Sequence, residues 1–121
     1  MIAAGFGFRQ GTSLASLESA LALAQEGLPA VTAFAAPLDK TALLRPLADA
    51  MGVPLHVIPR EALRAQVTPT SSDASLLAYG VGSVAEAAAL AAAGPGATLL
   101  SQRHISADHM ATCAIAQGTP A

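Results

Sequence analysis

Tryptophan is absent, and aromatic residues make up only 3% of the 121 residues. Charged residues are scarce too, at 12%, with six Lys and Arg scattered along the chain and a net charge of −2. A nucleic-acid surface needs a basic stripe or stacking aromatics, so a nucleic-acid partner is excluded and a small ligand is expected. The one cysteine, Cys113, excludes an internal disulfide and a cysteine-rich zinc site. His104, His109 and Cys113 match no standard zinc spacing, so they read as loop histidines and a buried cysteine, and no metal and no cofactor is expected. No apolar run reaches the length of a membrane helix, although mean hydropathy is high at +0.51. The start, Met1-Ile-Ala-Ala-Gly5-Phe-Gly7-Phe8, lacks the basic region and cleavage pattern of a signal peptide. A cytoplasmic protein without a membrane partner is the expectation.

What the chain has in abundance is alanine, which supplies much of its 53% hydrophobic content. One domain spanning residues 1–121 is expected, long enough to bury a core. Ile2 to Phe8 reads as a buried strand. Leu14, Leu17, Leu21 and Leu28 then recur at helical spacing behind Thr12 and Ser13, with Gly27 and Pro29 as the stop. Ala30 to Ala36 and Leu55 to Ile58 read as further strands. Between them a helix opens at Pro37-Leu-Asp39, capped by Asp39, with Leu43, Leu44, Leu47 and Met51 as its buried stripe. A helical turn runs from Pro59 to Leu63, and Val67 to Asp73 is rich in turn formers and reads as loop. Ala97 to Leu100 and Met110 to Ala116 are the last strand candidates, and the tail from Gln117 reads as frayed. Strands that alternate with helices and are continuously apolar predict an α/β fold: a three-layer α/β/α sandwich around a mostly parallel, mixed sheet of about five strands.

The segment from Gly80 to Gly94 is the most distinctive. Ser83 and Glu86 have the Ser-x-x-Glu spacing of a capping box, which predicts that Ser83 caps a helix and Glu86 reaches back to it. Gly94 supplies a left-handed close, and the alanines between make a thin helix. Its N-terminus, behind Gly80 and Gly82, offers N–H groups and a positive dipole end to an anion. Two other strand-to-helix turns, Gly5-Phe-Gly7-Phe8-Arg9-Gln-Gly11-Thr12 and Ala36-Pro-Leu-Asp39-Lys40, fall on the same edge of a parallel sheet. Gly5, Gly7, Arg9, Thr12, Lys40, Gly82 and Ser83 are therefore the candidate ligand-binding residues, with Arg9 able to hold a carboxylate by two hydrogen bonds. The first turn has one residue too many for a dinucleotide fingerprint, and no Walker pattern occurs. Ser71, Ser72 and Ser75 lack the Gly-x-Ser-x-Gly elbow of a hydrolase and either bond a ligand or shape turns. Glu86 and Asp39 are the candidate general bases, each with helix capping as the competing explanation.

These turns resemble a known family. Gly5-Phe-Gly7-Phe8-Arg9-x-Gly11-Thr12, Ala35-Ala-Pro-Leu-Asp39-Lys40, Gly80-Val-Gly-Ser83-Val-Ala-Glu86-Ala-Ala-Ala-Leu90 and Thr112-Cys-Ala-Ile-Ala116 are similar, in order and over nearly the whole chain, to the motifs of the CobE/CbiG C-terminal domain family of cobalamin biosynthesis. Phe8 departs from a frequent cysteine and Ala36 from a frequent serine, which favours binding over covalent catalysis. The resemblance implies a role in building the corrin ring: binding or processing a precorrin or hydrogenobyrinic-type intermediate through its carboxylates. It implies a corrin intermediate as ligand partner and the other cobalamin-pathway enzymes as protein partners. A hydrolase opening a cobalt-precorrin lactone, and an accessory module that hands intermediates between enzymes, are the alternative readings.

Overall fold

In a computed structural model, which describes residues 1–119, the N-terminal apolar run forms strand β1 (Ile2–Phe8). There follow α1 (Leu14–Gln25), β2 (Ala33–Ala36), a 3-10 turn (Leu38–Lys40), α2 (Thr41–Met51), β3 (Leu55–Val57), α3 (Arg60–Arg64), α4 (Asp73–Tyr79), α5 (Val84–Ala93), β4 (Thr98–Ile105) and β5 (Ala111–Gln117). The five strands form one sheet of order β3-β2-β1-β5-β4. The β1–β2 and β2–β3 pairs are parallel, and β1–β5 and β5–β4 are antiparallel. The expected mixed α/β sheet is present, with its parallel part confined to the first three strands. Its last two strands form a hairpin, because the turn Ser106–Met110 is far too short for a parallel crossover.

β1 is central, and its two faces differ by side-chain size. Ile2, Ala4 and Phe6 join α1 and α2 through Leu17, Leu21, Leu44 and Leu47, and the Phe6 and Phe34 rings meet edge-on at 4.9 Å. The other face of β1 presents Ala3, Gly5 and Gly7, which pair across β5 with Ala116, Ala114 and Thr112. Small residues let the alanine helix α5 settle almost onto the backbone: a Cβ added at Gly5 would lie 2.0 Å from Ala85 O and 2.5 Å from Ala89 N. α3 and α4 complete this layer through Leu63 and Tyr79, joined by Val81 of the α4–α5 turn.

Several local expectations are corrected. Asp39 does not cap α2; it lies in the 3-10 turn that Pro37 initiates, and Lys40 occupies the cap position without a side-chain bond. Asp39 instead accepts a hydrogen bond from the Tyr79 hydroxyl at 2.7 Å. Leu14 and Met51 fall outside their buried stripes and are exposed. Residues 73–79, next to the expected loop, form α4, capped by Ser72. Gly94 has a positive φ of 94° but an extended ψ of −179°, so the chain leaves α5 straight toward β4 rather than curling left-handed. β4 runs further than its apolar core suggests, since it is an edge strand with polar residues on its exposed side; β5 is displaced by one residue, and Gln117, expected to open a frayed tail, is paired in it with Ile2 and Thr98. Among the described residues no single helix is long and apolar enough to cross a membrane.

Candidate functional site

At the carboxyl end of β1, which lies between its parallel neighbour β2 and its antiparallel neighbour β5, the α5 side of the sheet opens into a cavity of about 310 Å³. This is the kind of edge at which open α/β sheets bind ligands. α4 and the first residues of α5 line one side, and the ends of β1, β4 and β5 the other. Gly7 keeps the approach open: a Cβ there would meet Val84 Cγ1 at 2.5 Å and Thr112 Oγ1 at 3.0 Å.

The lining is cationic. Arg9, Lys40 and Arg103 all reach it, His109 joins them, and no Asp or Glu contributes. Lys40 is held in place by Phe8: its Nζ donates to the Phe8 carbonyl at 2.7 Å and stands 5.0 Å above the Phe8 ring. That leaves two of its three N–H groups for a ligand. Arg9 follows the last β1 residue, its backbone fixed by an N–H bond to Met110 O at 2.9 Å. Among the described residues neither the Arg9 nor the Arg103 guanidinium takes part in an ion pair or a side-chain hydrogen bond. Both forks are therefore available for a carboxylate.

Serine hydroxyls complete the donor set. Ser72 Oγ accepts from Ser75 N at 3.2 Å, Ser75 Oγ from Val84 N at 2.8 Å, and Ser83 Oγ from Glu86 N at 3.3 Å. Two first-turn N–H groups of α5 are thus taken by serines rather than offered bare, which corrects the expected open helix N-terminus. The hydroxyls of Ser72 and Ser75, on the cavity wall, each accept from a backbone N–H and keep an O–H to donate.

The expected residues divide accordingly. Gly7, Arg9, Lys40 and Ser83, from three separate turns, converge on the cavity. Gly5 does not: it lies under α5, where its missing side chain serves packing. Gly82 does not either; a Cβ there would meet Thr68 Oγ1 and Thr70 O, both at 2.8 Å, so it makes room for the loop before α4. Thr12 sits in the turn after β1, its N–H bonded to Arg9 O at 3.1 Å and its buried hydroxyl without a partner among the described residues. Asp39 stands behind Tyr79, outside the lining. Glu86 is fully buried and also outside it. Its carboxylate does not reach back to Ser83; Oε1 accepts from Thr70 N (3.1 Å) and Thr70 Oγ1 (2.8 Å), and Oε2 from Arg103 N (2.9 Å).

Sequence reasoning missed Arg103 and Tyr79. The Ser72-Asp73 start and Gly80 stop were a readable signal for α4, and with it for Tyr79. Tyr79 is buried; desolvation first, then its bond to Asp39, push its phenol well above the ordinary range, while Arg60, 5.1 Å from the ring, pulls the other way. At the rim, the β4–β5 turn is fixed by Asp108, which accepts from Ser106 Oγ at 2.5 Å, from Met110 N at 3.1 Å and from Ser16 Oγ of α1. These hydrogen bonds, Ser106 foremost, lower the Asp108 carboxyl from 3.8 to about 2. The turn holds His109 at a φ of 62°, an uncommon left-handed conformation for a non-glycine residue. His104 and Cys113 face each other across β4 and β5, but among the described residues no three His, Cys, Asp or Glu come together in a way that could hold a metal.

The family described as Cobalamin synthesis G C-terminus matches residues 2–116. The crystal structure of CobE, a protein from the cobalamin (vitamin B12) biosynthetic pathway, superposes with a TM-score of 0.86 at 30% identity, over 98% of this chain and 91% of that one. The cobalamin biosynthesis protein chiG from Agrobacterium tumefaciens gives a TM-score of 0.73 at 30% identity, over 99% of this chain and 100% of that one. A putative cobalamin biosynthesis protein G homolog from Sulfolobus solfataricus shares the fold at 19% identity and a TM-score of 0.72, over 98% of this chain but 37% of its own. No curated protein matches. With the match spanning nearly every residue, the chain belongs to the Cobalamin synthesis G C-terminus family and is a protein of cobalamin biosynthesis.

Proposed function

We propose that this protein binds a corrin-ring precursor by its peripheral carboxylates, in the cavity at the carboxyl end of β1. The observation that carries the reading is the lining itself: Arg9, Lys40 and Arg103 without a single acidic residue. Serine O–H donors on the α4 wall add to it. A neutral or cationic ligand would leave these donors unpaired, whereas an acetate or propionate arm satisfies them by charge-assisted hydrogen bonds. At about 310 Å³ the cavity lies at the small end of the range for ligand sites. It takes carboxylate arms and one edge of the macrocycle, and the ring lies against the apolar rim of Phe8, Ile105 and Met110. Neither Glu86 nor Asp39 faces the cavity, so binding is favoured over water activation by either carboxylate.

The test is an absorbance titration with hydrogenobyrinic acid. Saturable binding is expected, weakened by rising ionic strength. Arg9→Ala combined with Lys40→Ala removes two charge-assisted contacts of about 1.5–3 kcal/mol each, a loss of about a hundredfold or more in affinity. Absence of saturation, or undiminished affinity in the double variant, refutes the reading.

A further inference from the structure

Arg103 enters the cavity from an irregular stretch of strand. β4 and β5 are in register at Ser101↔Ile115 and again at His104↔Cys113, so three steps along β4 answer two along β5. Arg103 lies within this bulge, with no partner residue in the β5 register. Bulges leave a backbone group unpaired and turn a side chain to a new direction. Here the Arg103 N–H is taken up from another layer of the fold, by Glu86 Oε2 at 2.9 Å.

Glu86 is itself unusual. It is a fully buried carboxylate with no ion-pair partner among the described residues. Burying such a group is costly unless its oxygens are bonded, and its bonds all go to two places: Thr70 in the loop before α4, and the Arg103 backbone. The loop leads to Ser72 and α4, which wall the cavity, and Arg103 supplies one of its cations. One side chain therefore joins α5 to both the loop before α4 and the Arg103 stretch of β4.

We infer that Glu86 is a positioning residue: by holding the bulged Arg103 N–H and Thr70 together, it aims the Arg103 guanidinium into the cavity. The inference rests on the proposed binding role for its functional meaning, while its structural core stands apart from it. A carboxylate is required because both of its oxygens must accept. A glutamine would turn an NH2 donor toward either the Arg103 N–H or Thr70.

The experiment uses the whole protein and Glu86→Gln, Arg103→Ala and the double variant. In the unaltered protein without ligand, the Arg103 amide should exchange slowly with solvent. That protection should be lost in Glu86→Gln. Affinity for hydrogenobyrinic acid should fall at least fivefold in Glu86→Gln and in Arg103→Ala, with no further fall in the double variant. Wild-type affinity in Glu86→Gln, or losses that add in full, overturns the inference. If Glu86→Gln fails to fold, the unaltered protein and Arg103→Ala decide: an unprotected Arg103 amide, or wild-type affinity in Arg103→Ala, overturns it, and protection together with the fivefold loss upholds it. If the unaltered protein binds no corrin, the proposed function fails, and the exchange measurement still judges the role of Glu86.

Discussion

Gly5→Ala isolates the contact on which the cavity's inner layer is built. The added methyl carbon would sit 2.0 Å from Ala85 O and 2.5 Å from Ala89 N, against about 3.4 Å for ordinary contact. Both obstacles are backbone, so no side chain can swing aside, and α5 must retreat from β1 by about 1.4 Å. The retreat would separate Ala85 and Ala89 from a face made of Ala3, Gly5 and Gly7, where every residue is too small to fill the gap. Overpacking costs about 1–3 kcal/mol and occasionally more, and a clash with helix backbone belongs at the upper end, about 3 kcal/mol. For a chain of this size that lowers the melting temperature by roughly 10 °C. Gly11→Ala is the control: Gly11 has a φ of 86° but nothing within 4 Å of an added Cβ. It should lose only the left-handed backbone preference, about 1–2 kcal/mol. Urea denaturation followed by circular dichroism measures both. A Gly5→Ala protein within 1 kcal/mol of wild type, or one more stable than Gly11→Ala, would refute the close-packing account.

Asp108 has a lowered carboxyl, from 3.8 to about 2, so its contribution to stability is complete above the unfolded value and lost as pH falls through the folded one. Asp108→Asn should therefore be less stable than wild type at pH 6, and the gap should close between about pH 4 and pH 2 in urea melts. Tyr79 is the one tyrosine, and there is no tryptophan, so tyrosinate absorbance reports it alone. Its raised pKa predicts almost no ionisation at about pH 10.5, where an ordinary tyrosine is mostly ionised. Its stabilising effect is full below the unfolded value and vanishes only as pH climbs through the folded one, so ionisation should coincide with base unfolding. Half-ionisation near pH 10 in folded protein would contradict its burial. Cys113 is fully buried, with desolvation pushing its thiol up; it should resist a thiol reagent such as DTNB in native buffer and react on unfolding.

The parts of the fold most legible in the sequence are those where periodicity and punctuation agree. β1 is a continuous apolar run with glycines at alternate positions, and α5 has a serine cap and a glycine stop, so both were readable. The convergence of Arg9 and Lys40 was readable too, because the parallel strands β1 and β2 bring their outgoing turns to one edge; Ser83 reaches the same edge from the α4–α5 turn, which joins two helices and not the strand and helix expected. The antiparallel hairpin was harder, since β5 is as apolar as a buried parallel strand; only the shortness of the Ser106–Met110 turn betrayed it. Arg103 was not legible at all. Its direction follows from a bulge, and the N–H unpaired there is bonded by a residue seventeen positions away. The glycines misled in the opposite way. Gly5 and Gly82 look like a ligand cradle in a turn motif, yet each is there because another segment of chain occupies the space of its Cβ.

The capping box shows how one motif can hold structural and functional meaning in separate atoms. Ser83 performs the expected cap, accepting from Glu86 N. Glu86 abandons the reciprocal bond, and the reason lies in the acceptors it must supply. The Thr70 N–H and the Arg103 N–H both belong to irregular backbone next to the cavity, and both would otherwise be unpaired in a protein interior. The Ser75 hydroxyl meanwhile takes the Val84 N–H, so α5 does not need its own glutamate to close its first turn. The helix dipole then reaches the cavity through a polarised serine hydroxyl rather than a bare amide. The formal charges arrive from Arg9, Lys40 and Arg103 on the surrounding turns and strand. Phe8 fits the same division of labour: its ring and carbonyl fix Lys40 and so orient a cation. Phe8 holding Lys40, Ser75 holding the Val84 N–H and Glu86 holding the Arg103 N–H are three cases of one arrangement, donors at the cavity fixed before any ligand arrives, which is what the proposed carboxylate binding requires.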